Sequence, residues 1–220
     1  MTRTLLALLL LLPLPAPAQD APREALLLGS SSVNGAVGRT LESELRAWNV
    51  RLVRRARSSS GFARPDFHDW EAEVRELGSL DRYAAILLYT GGNDTQHLRL
   101  RRDERPSRAQ QWIAWSEEER WRSVYRSRVR NFVDTLCARG ARRVIVLLPV
   151  DGGRPGWSRR IVRVREEMQA GASHACGSAI DASTYPNETF ESLDGVHLSW
   201  EGARRMWGRV RDPLRRILGV

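Results

Sequence analysis

Four short blocks rich in serine, glycine, asparagine, aspartate and histidine carry the side chains that could do chemistry. The blocks are Gly29-Ser30-Ser31-Ser32, Ser58-Ser59-Ser60-Gly61, Gly91-Gly92-Asn93-Asp94 and Asp194-Gly195-Val196-His197. A serine hydroxyl becomes a nucleophile when a neighbouring base takes its proton, and histidine can act as that base near neutral pH. An aspartate three residues before the histidine can fix the tautomer of its imidazole. These residue types indicate serine-based acyl transfer, provided that the fold brings the blocks together.

The segments between the blocks alternate between strand and helix. Continuous apolar runs predict buried strands at 25–28, 50–53, 83–89 and 144–148, with a weaker fifth strand at 178–181. Apolar residues at helical spacing predict crossover helices between the strands. The alternation predicts a three-layer α/β/α sandwich around a five-stranded parallel sheet. Such folds bind ligands beyond the carboxyl ends of their strands, so all four blocks lie where an active site is expected, the fourth of them before the last helix.

One segment interrupts this alternation. The stretch from Leu98 to Gln111 is polar and rich in arginine, and it follows neither the strand nor the helix pattern. Segments of this length without periodicity are commonly insertions or functional loops. We therefore predict an insertion or a mobile loop over 98–111.

In their chain order the four blocks resemble the signature of the SGNH, or GDSL, hydrolase superfamily. That family is named for a serine, a glycine, an asparagine and a histidine, and its first block is usually Gly-Asp-Ser-Leu with a glycine four residues beyond the serine. Here Ser31 and Gly35 take the positions of that serine and that later glycine. The stretches 60–70 and 92–96 resemble one uncharacterised, exported bacterial branch. The resemblance covers nearly all of the chain after residue 18 and implies the flavodoxin-like fold of the family.

The resemblance also implies roles for individual residues. Ser31 is the implied nucleophile, His197 its base and Asp194 the partner of the histidine. The implied oxyanion hole consists of the N–H groups of Ser31 and Gly61 and the side-chain amide of Asn93. Candidate substrate-binding residues are Asp94, Gln96 and His68. Ser31 also lies where the first strand meets a helix, so we expect the helix N-terminus to face a developing oxyanion.

Two departures from known patterns bear on this interpretation. Ser30 stands where the family has an aspartate that mainly supports the loop. The sequence Gly29-Ser30-Ser31-Ser32-Val33 lacks the second glycine of the G-x-S-x-G elbow, which disfavours a classical α/β-hydrolase. Neither departure removes the nucleophile, the base or the candidate oxyanion donors.

Composition and charge bound the remaining possibilities. The chain has 220 residues, 42% of them hydrophobic and 28% charged, which is typical of one globular domain. Its net charge is +9, and all 35 basic residues are arginine. So complete a bias is typical of a GC-rich genome and predicts a solvated basic exterior. The sequence has no helix-turn-helix, zinc or RNP-type signature, so we expect no nucleic-acid partner.

The N-terminus predicts export. Arg3 precedes an apolar run from Leu5 to Leu12, and an Ala-x-Ala signal ends at Ala18. This arrangement is typical of a cleavable signal peptide over 1–18, cut after Ala18 and followed by one domain over 19–220. The run is shorter than the roughly 20 apolar residues that span a bilayer, so we expect no stable membrane insertion. The predicted location is the periplasm or the cell exterior.

The two cysteines and the remaining histidines permit further predictions. Cys137 and Cys176 precede neighbouring strands at the sheet end opposite the site, so they could form a disulfide in an oxidising compartment; the alternative is two buried free thiols. His68, His97 and His174 lack partners at metal-ligand spacing, and we expect neither a metal nor a cofactor.

The leading functional hypothesis is an exported serine esterase that removes a small acyl group, acetyl for example, from a carbohydrate or a cell-envelope glycan. An acyltransferase with the same triad is an alternative, because both enzymes pass through the same acyl-enzyme. A non-catalytic glycan-binding or envelope-assembly protein on this fold is a second alternative, which the serine at position 30 keeps open. Fold and function are separable, so the substrate assignment rests on family resemblance and export.

Overall fold

The computed structural model describes residues 23–220, and the predicted signal peptide over 1–18 lies outside them. The strands are Arg23–Gly29 (β1), Val50–Ala56 (β2), Tyr83–Tyr89 (β3), Leu98–Arg99 (β4), Trp112–Ile113 (β5), Val144–Leu147 (β6) and Gly177–Ile180 (β7). The helices are Ser31–Asn34 (α1), Ala36–Arg46 (α2), Trp70–Glu76 (α3), Glu118–Ala138 (α4), Ser158–Ala172 (α5) and Trp200–Leu218 (α6). No helix in this part of the chain is both long and apolar enough to cross a membrane.

The main sheet has five parallel strands in the order β2-β1-β3-β6-β7, which confirms the predicted α/β/α sandwich. Alternate residues of β1 enter two separate hydrophobic cores, with Leu26 in one and Leu27 in the other. Helices α2 and α6 cover one face, whereas α3, α4 and α5 cover the other. Burial on both faces explains why the central strands are continuous apolar runs rather than alternating ones.

The carboxyl ends of three strands meet at Gly29. In β1 this residue pairs with Ala56 of β2 on one side and with Tyr89 of β3 on the other. A β-carbon on Gly29 would lie 2.0 Å from the carbonyl oxygen of Tyr89, so only glycine allows the strands this close approach. The loops after β1, β2 and β3 therefore leave the sheet side by side, and each carries one of the polar blocks.

The segment 98–111, predicted as an insertion or a mobile loop, is anchored at both ends. Strand β4 at its start pairs with β5, which directly follows its end, in an antiparallel hairpin, and Leu98 and Ile113 are fully buried. The buried Arg128 of α4 donates hydrogen bonds to Glu104 at 2.8 Å and to the carbonyl oxygen of Arg99 at 2.6 Å. A guanidinium has five N–H donors, and here it ties the insertion to the long helix behind it. The polar residues of segment 98–111 thus take part in a network of charged side chains around Arg128, and the segment is not a free loop.

A disulfide joins Cys137, in the last turn of α4, to Cys176, directly before β7. The two Cα atoms are 5.9 Å apart, within the usual range for such a bond. Both cysteines lie at the amino-terminal side of the sheet, opposite the loops that carry the polar blocks. The bond therefore braces the scaffold at a distance from the candidate site.

Candidate active site

Ser31 begins a very short helix at the end of β1. Helix α1 has only four residues and ends at Gly35, where α2 starts. The dipole of a helix is the sum of the dipoles of its aligned peptides. The predicted helix dipole at Ser31 is therefore small, because α1 has only a single turn. The backbone N–H of Ser31, as the first of this helix, has no partner within it.

Backbone hydrogen bonds hold the loop around the serine. Ser30, where the family has aspartate, is 5% exposed. Its N–H donates to the carbonyl oxygen of Tyr89 at 3.2 Å, and its own carbonyl accepts from the N–H of Val33 at 3.0 Å. These bonds do not depend on the side chain at position 30, so the turn keeps its shape without the aspartate.

Ser31, His197 and Asp194 form a continuous hydrogen-bonded chain. The hydroxyl oxygen of Ser31 lies 2.8 Å from Nε2 of His197, and Nδ1 of the same ring lies 2.7 Å from Oδ2 of Asp194. The other carboxylate oxygen, Oδ1, accepts the backbone N–H of His197 at 2.7 Å and that of Val196 at 3.0 Å. Two residues that are 166 positions apart in the chain are thereby brought into contact.

The pKa of Asp194 is lowered to about 2, first by the backbone N–H of His197 and then by its imidazole. The carboxylate is therefore ionised at neutral pH and can only accept hydrogen bonds. The proton between the two side chains consequently belongs to Nδ1 of His197, which leaves a lone pair on Nε2 for Ser31. This is the tautomer in which an imidazole can remove a proton from a hydroxyl.

The histidine loop is fixed to the loop that follows β6. Ser192 donates to the carbonyl oxygen of Gly152 at 2.6 Å and accepts the N–H of Gly195 at 3.0 Å. A β-carbon on Gly152 would lie 2.6 Å from the backbone of Gly195, which has a φ of +80°. Both positions therefore favour glycine, one for close approach and the other for its left-handed backbone.

Gly61 and Asn93, the other two candidate oxyanion donors, lie on adjacent loops. The side-chain amide of Asn93 donates to the carbonyl oxygen of Ser60 at 3.0 Å. An amide nitrogen carries two hydrogens, so one N–H remains for another acceptor. Gly61 is buried, and its backbone N–H has no hydrogen-bond partner among residues 23–220. The structure thus brings two unused N–H groups to neighbouring loops, at the sheet end that carries Ser31.

Asp94 corrects one prediction. We expected it to bind substrate, but it is 1% exposed and its carboxylate is enclosed by protein donors. It accepts the N–H groups of Phe62 at 2.9 Å and Ala63 at 2.8 Å, and the hydroxyl of Tyr125 at 2.8 Å. Burial raises the pKa of Asp94, whereas these donors and the nearby Arg128 lower it. Asp94 is therefore placed to support the loop of Gly61, and its carboxylate is not exposed to a ligand.

His68 also differs from the prediction, whereas Gln96 lies at the cleft. The His68 ring packs edge-on against Trp70, and its Nε2 lies 3.0 Å from a carboxylate oxygen of Glu73. Burial lowers the pKa of this histidine. Gln96, by contrast, lines a cleft of about 480 Å³ together with Asn93. Of the three proposed substrate-binding residues, only Gln96 lies in a position to contact a ligand beside Asn93.

Sequence comparison assigns the chain to a family. The model of the family described as Protein of unknown function (DUF459) matches residues 24–213. The chain belongs to this family. No curated protein sequence matches the chain. The family description names no activity, so the chemistry of this DUF459 protein has to be argued from its own residues.

Two solved structures that are named as lipases share the fold. The lipase Lip_vut3 from a goat rumen metagenome is 16% identical, with 86% of this chain and 96% of that chain covered and a TM-score of 0.50. A protein from Parabacteroides merdae described as a GDSL-like lipase is 12% identical, with 90% and 96% covered and a TM-score of 0.51. Identities this low establish the fold alone. They confirm the resemblance of this DUF459 protein to the SGNH, or GDSL, superfamily at the level of architecture.

Proposed function

We propose that the protein is a serine hydrolase of SGNH type that cleaves ester bonds through an acyl-enzyme. The observation that carries the proposal is the chain from Ser31 to His197 at 2.8 Å and from His197 to Asp194 at 2.7 Å. A nucleophile, a base and a group that orients the base, each within hydrogen-bond reach of the next, are what acyl transfer requires. The shared fold of the GDSL-like lipases supports the same reaction class.

In the first half-reaction the hydroxyl oxygen of Ser31 attacks the ester carbonyl carbon while Nε2 of His197 takes the hydroxyl proton. The carbonyl oxygen becomes an oxyanion, which the free N–H groups of Ser31, Gly61 and Asn93 stabilise. The intermediate then collapses, the bond to the alcohol oxygen breaks, and the imidazolium returns the proton to the leaving alcohol. Removal of one such oxyanion donor typically costs about 2.7–4 kcal/mol of transition-state stabilisation.

In the second half-reaction water attacks the acyl-enzyme. His197 takes a proton from the water, the same N–H groups stabilise the second oxyanion, and the protonated imidazole returns a proton to Ser31 as the free acid leaves. Asp194 keeps the imidazole oriented and stabilises its cation in both steps without becoming protonated. The pKa of about 2 is consistent with that role.

Open access to solvent favours water as the acceptor. The side chains of His197 and Asp194 are 42% and 54% exposed, so water reaches the base directly. An acyltransferase must keep water away from its acyl-enzyme, since hydrolysis competes with transfer. The exposure therefore favours the hydrolase over the transferase.

The substrate that we propose is a small acyl ester, acetyl in the first instance, on a carbohydrate or a cell-envelope glycan outside the cytoplasm. Export is supported by the sequence pattern of residues 1–18. An exposed site suits a bulky alcohol that cannot enter a closed pocket. We therefore propose a carboxylesterase or O-acetylesterase activity in the periplasm or at the cell exterior.

A labelling experiment tests the nucleophile. The purified chain from residue 19 onward is treated with a fluorophosphonate probe, which reacts with activated serines, and the modified peptide is mapped by mass spectrometry. We expect a single modification at Ser31 and loss of labelling in Ser31→Ala. Ser32→Ala is the matched control, because Ser32 is the next residue of the same short helix and should still permit labelling.

The base is tested with 4-nitrophenyl acetate as the substrate. His197→Ala should lose at least about a thousandfold in kcat, because the members of a triad act as a unit. His174→Ala is the control, since that exposed histidine pairs with Asp134 at 2.7 Å. Unchanged turnover in Ser31→Ala, or equal damage from His174→Ala, contradicts the proposed mechanism.

A further inference from the structure

A cleft lies beside the candidate triad and is lined in part by the residue that precedes His197. Its volume is about 480 Å³, and its walls include Asn93, Gln96 and Val196. Val196 directly precedes His197, and Asn93 is a candidate oxyanion donor. The cleft therefore lies next to the position that an ester attacked by Ser31 would occupy. Trp157 also lines the cleft and is nearly buried.

The charged residues of the cleft all have the same sign. Arg154 and Arg160 line it, and no aspartate or glutamate does. Neither arginine forms an ion pair with any of residues 23–220, whereas Arg163, one turn further along α5, pairs with Glu118 at 2.9 Å. Two unneutralised guanidinium groups at one cleft raise its potential, and arginine is well suited to bind carboxylate or phosphate.

Other contacts place Arg160 without neutralising it. Its Nη1 donates to the carbonyl oxygen of Thr95 at 3.2 Å, and its guanidinium lies 5.6 Å from the ring centre of Trp115. Thr95 also accepts a hydrogen bond from the indole N–H of Trp157. The guanidinium is thus held at the wall of the cleft while most of its N–H donors remain available.

The amino-terminal end of α5 adds to the positive field. This helix has 15 residues, begins at Ser158, and has no side-chain hydrogen bond at its cap. Its first turn contains no acidic residue. Acidic groups normally stabilise this end of a helix, because its N–H groups are unpaired and its dipole is positive. Trp157 and Arg160, at this end of the helix, line the cleft, so the positive end of the helix faces the cleft without an acidic side chain in its first turn.

We propose that this cleft binds an anionic group of the substrate, so that the enzyme prefers esters that carry a carboxylate or a phosphate. The inference rests on the proposed function, which supplies the ester, and adds the chemical class of the substrate. Arg154 and Arg160 are the specificity residues, and α5 contributes the field of its N-terminus. An acylated acidic glycan has the required chemistry.

Matched ester pairs test the preference. For a charge on the alcohol side, 4-acetoxyphenylacetate and (4-acetoxybenzyl)phosphonate are compared with the neutral 4-acetoxyphenylacetamide. For a charge on the acyl side, the 4-nitrophenyl monoester of adipic acid is compared with its methyl ester. We expect kcat/KM to be about tenfold higher for the anionic member of at least one pair, and the ratio to fall as salt is added.

The variants identify the residues responsible. In Arg154→Gln/Arg160→Gln the ratio should fall to about one. Arg159→Gln removes a neighbouring exposed charge that does not line the cleft, so it should keep the ratio of the wild type. A ratio of one or less in the wild type for both pairs, or an equal fall in Arg159→Gln, overturns the proposal.

An equilibrium measurement separates this proposal from the proposed reaction. The stable analogue 4-acetamidophenylacetate and its neutral amide are titrated into the Ser31→Ala variant and followed by NMR chemical shifts. We expect about tenfold tighter binding of the anion, which the double arginine variant abolishes. If no ester is hydrolysed by the wild type, the reaction is wrong while this titration still decides the anion site. Equal binding of the two analogues contradicts the anion site whether or not esters are cleaved.

Discussion

Gly61 and Asp94 are packed so closely that a β-carbon on Gly61 would lie 2.1 Å from Oδ1 of the aspartate. The same carboxylate accepts the N–H groups of Phe62 and Ala63, the two residues that follow the glycine. The loop after β2 is therefore wrapped around a buried carboxylate that comes from the loop after β3. The position of the Gly61 N–H, a candidate oxyanion donor, depends on this contact.

Gly61→Ala should therefore disturb both activity and stability. The added methyl group must push the loop away from Asp94, which displaces the N–H of residue 61 and strains two buried hydrogen bonds. We expect kcat/KM for 4-nitrophenyl acetate to fall by about a hundredfold or more, as for the loss of an oxyanion donor. Thermal unfolding followed by circular dichroism should show a lower midpoint.

Gly78→Ala is the matched control for this substitution. A β-carbon at Gly78 would meet no atom within 4 Å, and its backbone does not have a positive φ. The control should keep the activity and the unfolding midpoint of the wild type. If Gly61→Ala behaved like Gly78→Ala, the close contact between the glycine and Asp94 would not position the loop.

Asp94→Asn should destabilise the protein although it preserves the size of the side chain. Two backbone N–H groups point at the two carboxylate oxygens. An amide offers only one acceptor oxygen, so one buried N–H is left facing another donor. The cost of such an unpaired buried group is about 1–3 kcal/mol, which urea denaturation measures as a lower free energy of unfolding.

Tyr125→Phe provides the comparison within the same network. It removes only the hydroxyl that donates to Asp94 and leaves both backbone bonds in place. We expect a smaller loss, about 1 kcal/mol, with activity closer to that of the wild type. A larger loss for Tyr125→Phe than for Asp94→Asn would mean that the tyrosine, rather than the carboxylate, holds the network.

The sheet and the positions of the four polar blocks were predictable because they depend on local patterns. Continuous apolar runs mark strands that are buried on both faces, and the connections between parallel strands follow general rules. Ser31 and His197, from the first and the last block, lie within hydrogen-bond distance of each other. The loop after each strand could therefore be placed before the structure was known.

The role of Asp94 could not be predicted in this way, because a sequence does not show whether a carboxylate points outward or into the protein. Its partners lie 31 and 32 positions away on two other elements. The one available signal was Tyr125, a residue with a polar hydroxyl on the apolar face of a long helix, which requires a buried partner. The burial of Arg128 could not be predicted either, because nothing in the sequence distinguishes this buried arginine from the many exposed ones.

The lowered pKa of Asp194 predicts that the free energy of unfolding decreases as the pH is lowered. Its pKa in the folded protein is about 2, below the unfolded value of about 3.9. The interaction therefore stabilises the fold above about pH 4 and is lost as the pH falls through 2. The difference in free energy of unfolding between the wild type and Asp194→Asn should shrink as the pH is lowered from about 5 to about 2. A constant difference over that range would contradict the lowered pKa.

The lowered pKa of Asp194 also leads to a prediction about kcat. Because the pKa of Asp194 is lowered to about 2, a loss of kcat between pH 5 and 6 should report another group. Asp194→Ala should be less damaging than His197→Ala by roughly tenfold or more, since the histidine moves the proton and the aspartate only orients it. Steady-state kinetics with 4-nitrophenyl acetate measure both values. Equal losses would mean that the imidazole has no productive orientation without its carboxylate.

The disulfide between Cys137 and Cys176 should stabilise the protein without affecting catalysis. The two cysteines are 39 residues apart, and closing a loop of that length is worth about 4 kcal/mol on the chain-entropy model. The bond lies at the amino-terminal side of the sheet, whereas Ser31 lies beyond the carboxyl end of β1. The Cys137→Ser/Cys176→Ser variant should therefore unfold at a lower urea concentration and keep the kcat of the wild type, measured well below its own unfolding midpoint.

Intact-mass analysis of the denatured, non-reduced protein after thiol alkylation checks the bond directly: no alkyl group should be added before reduction and two after it. Two groups added without reduction would contradict the bond, and a fall in kcat of the folded variant would contradict its separation from the site.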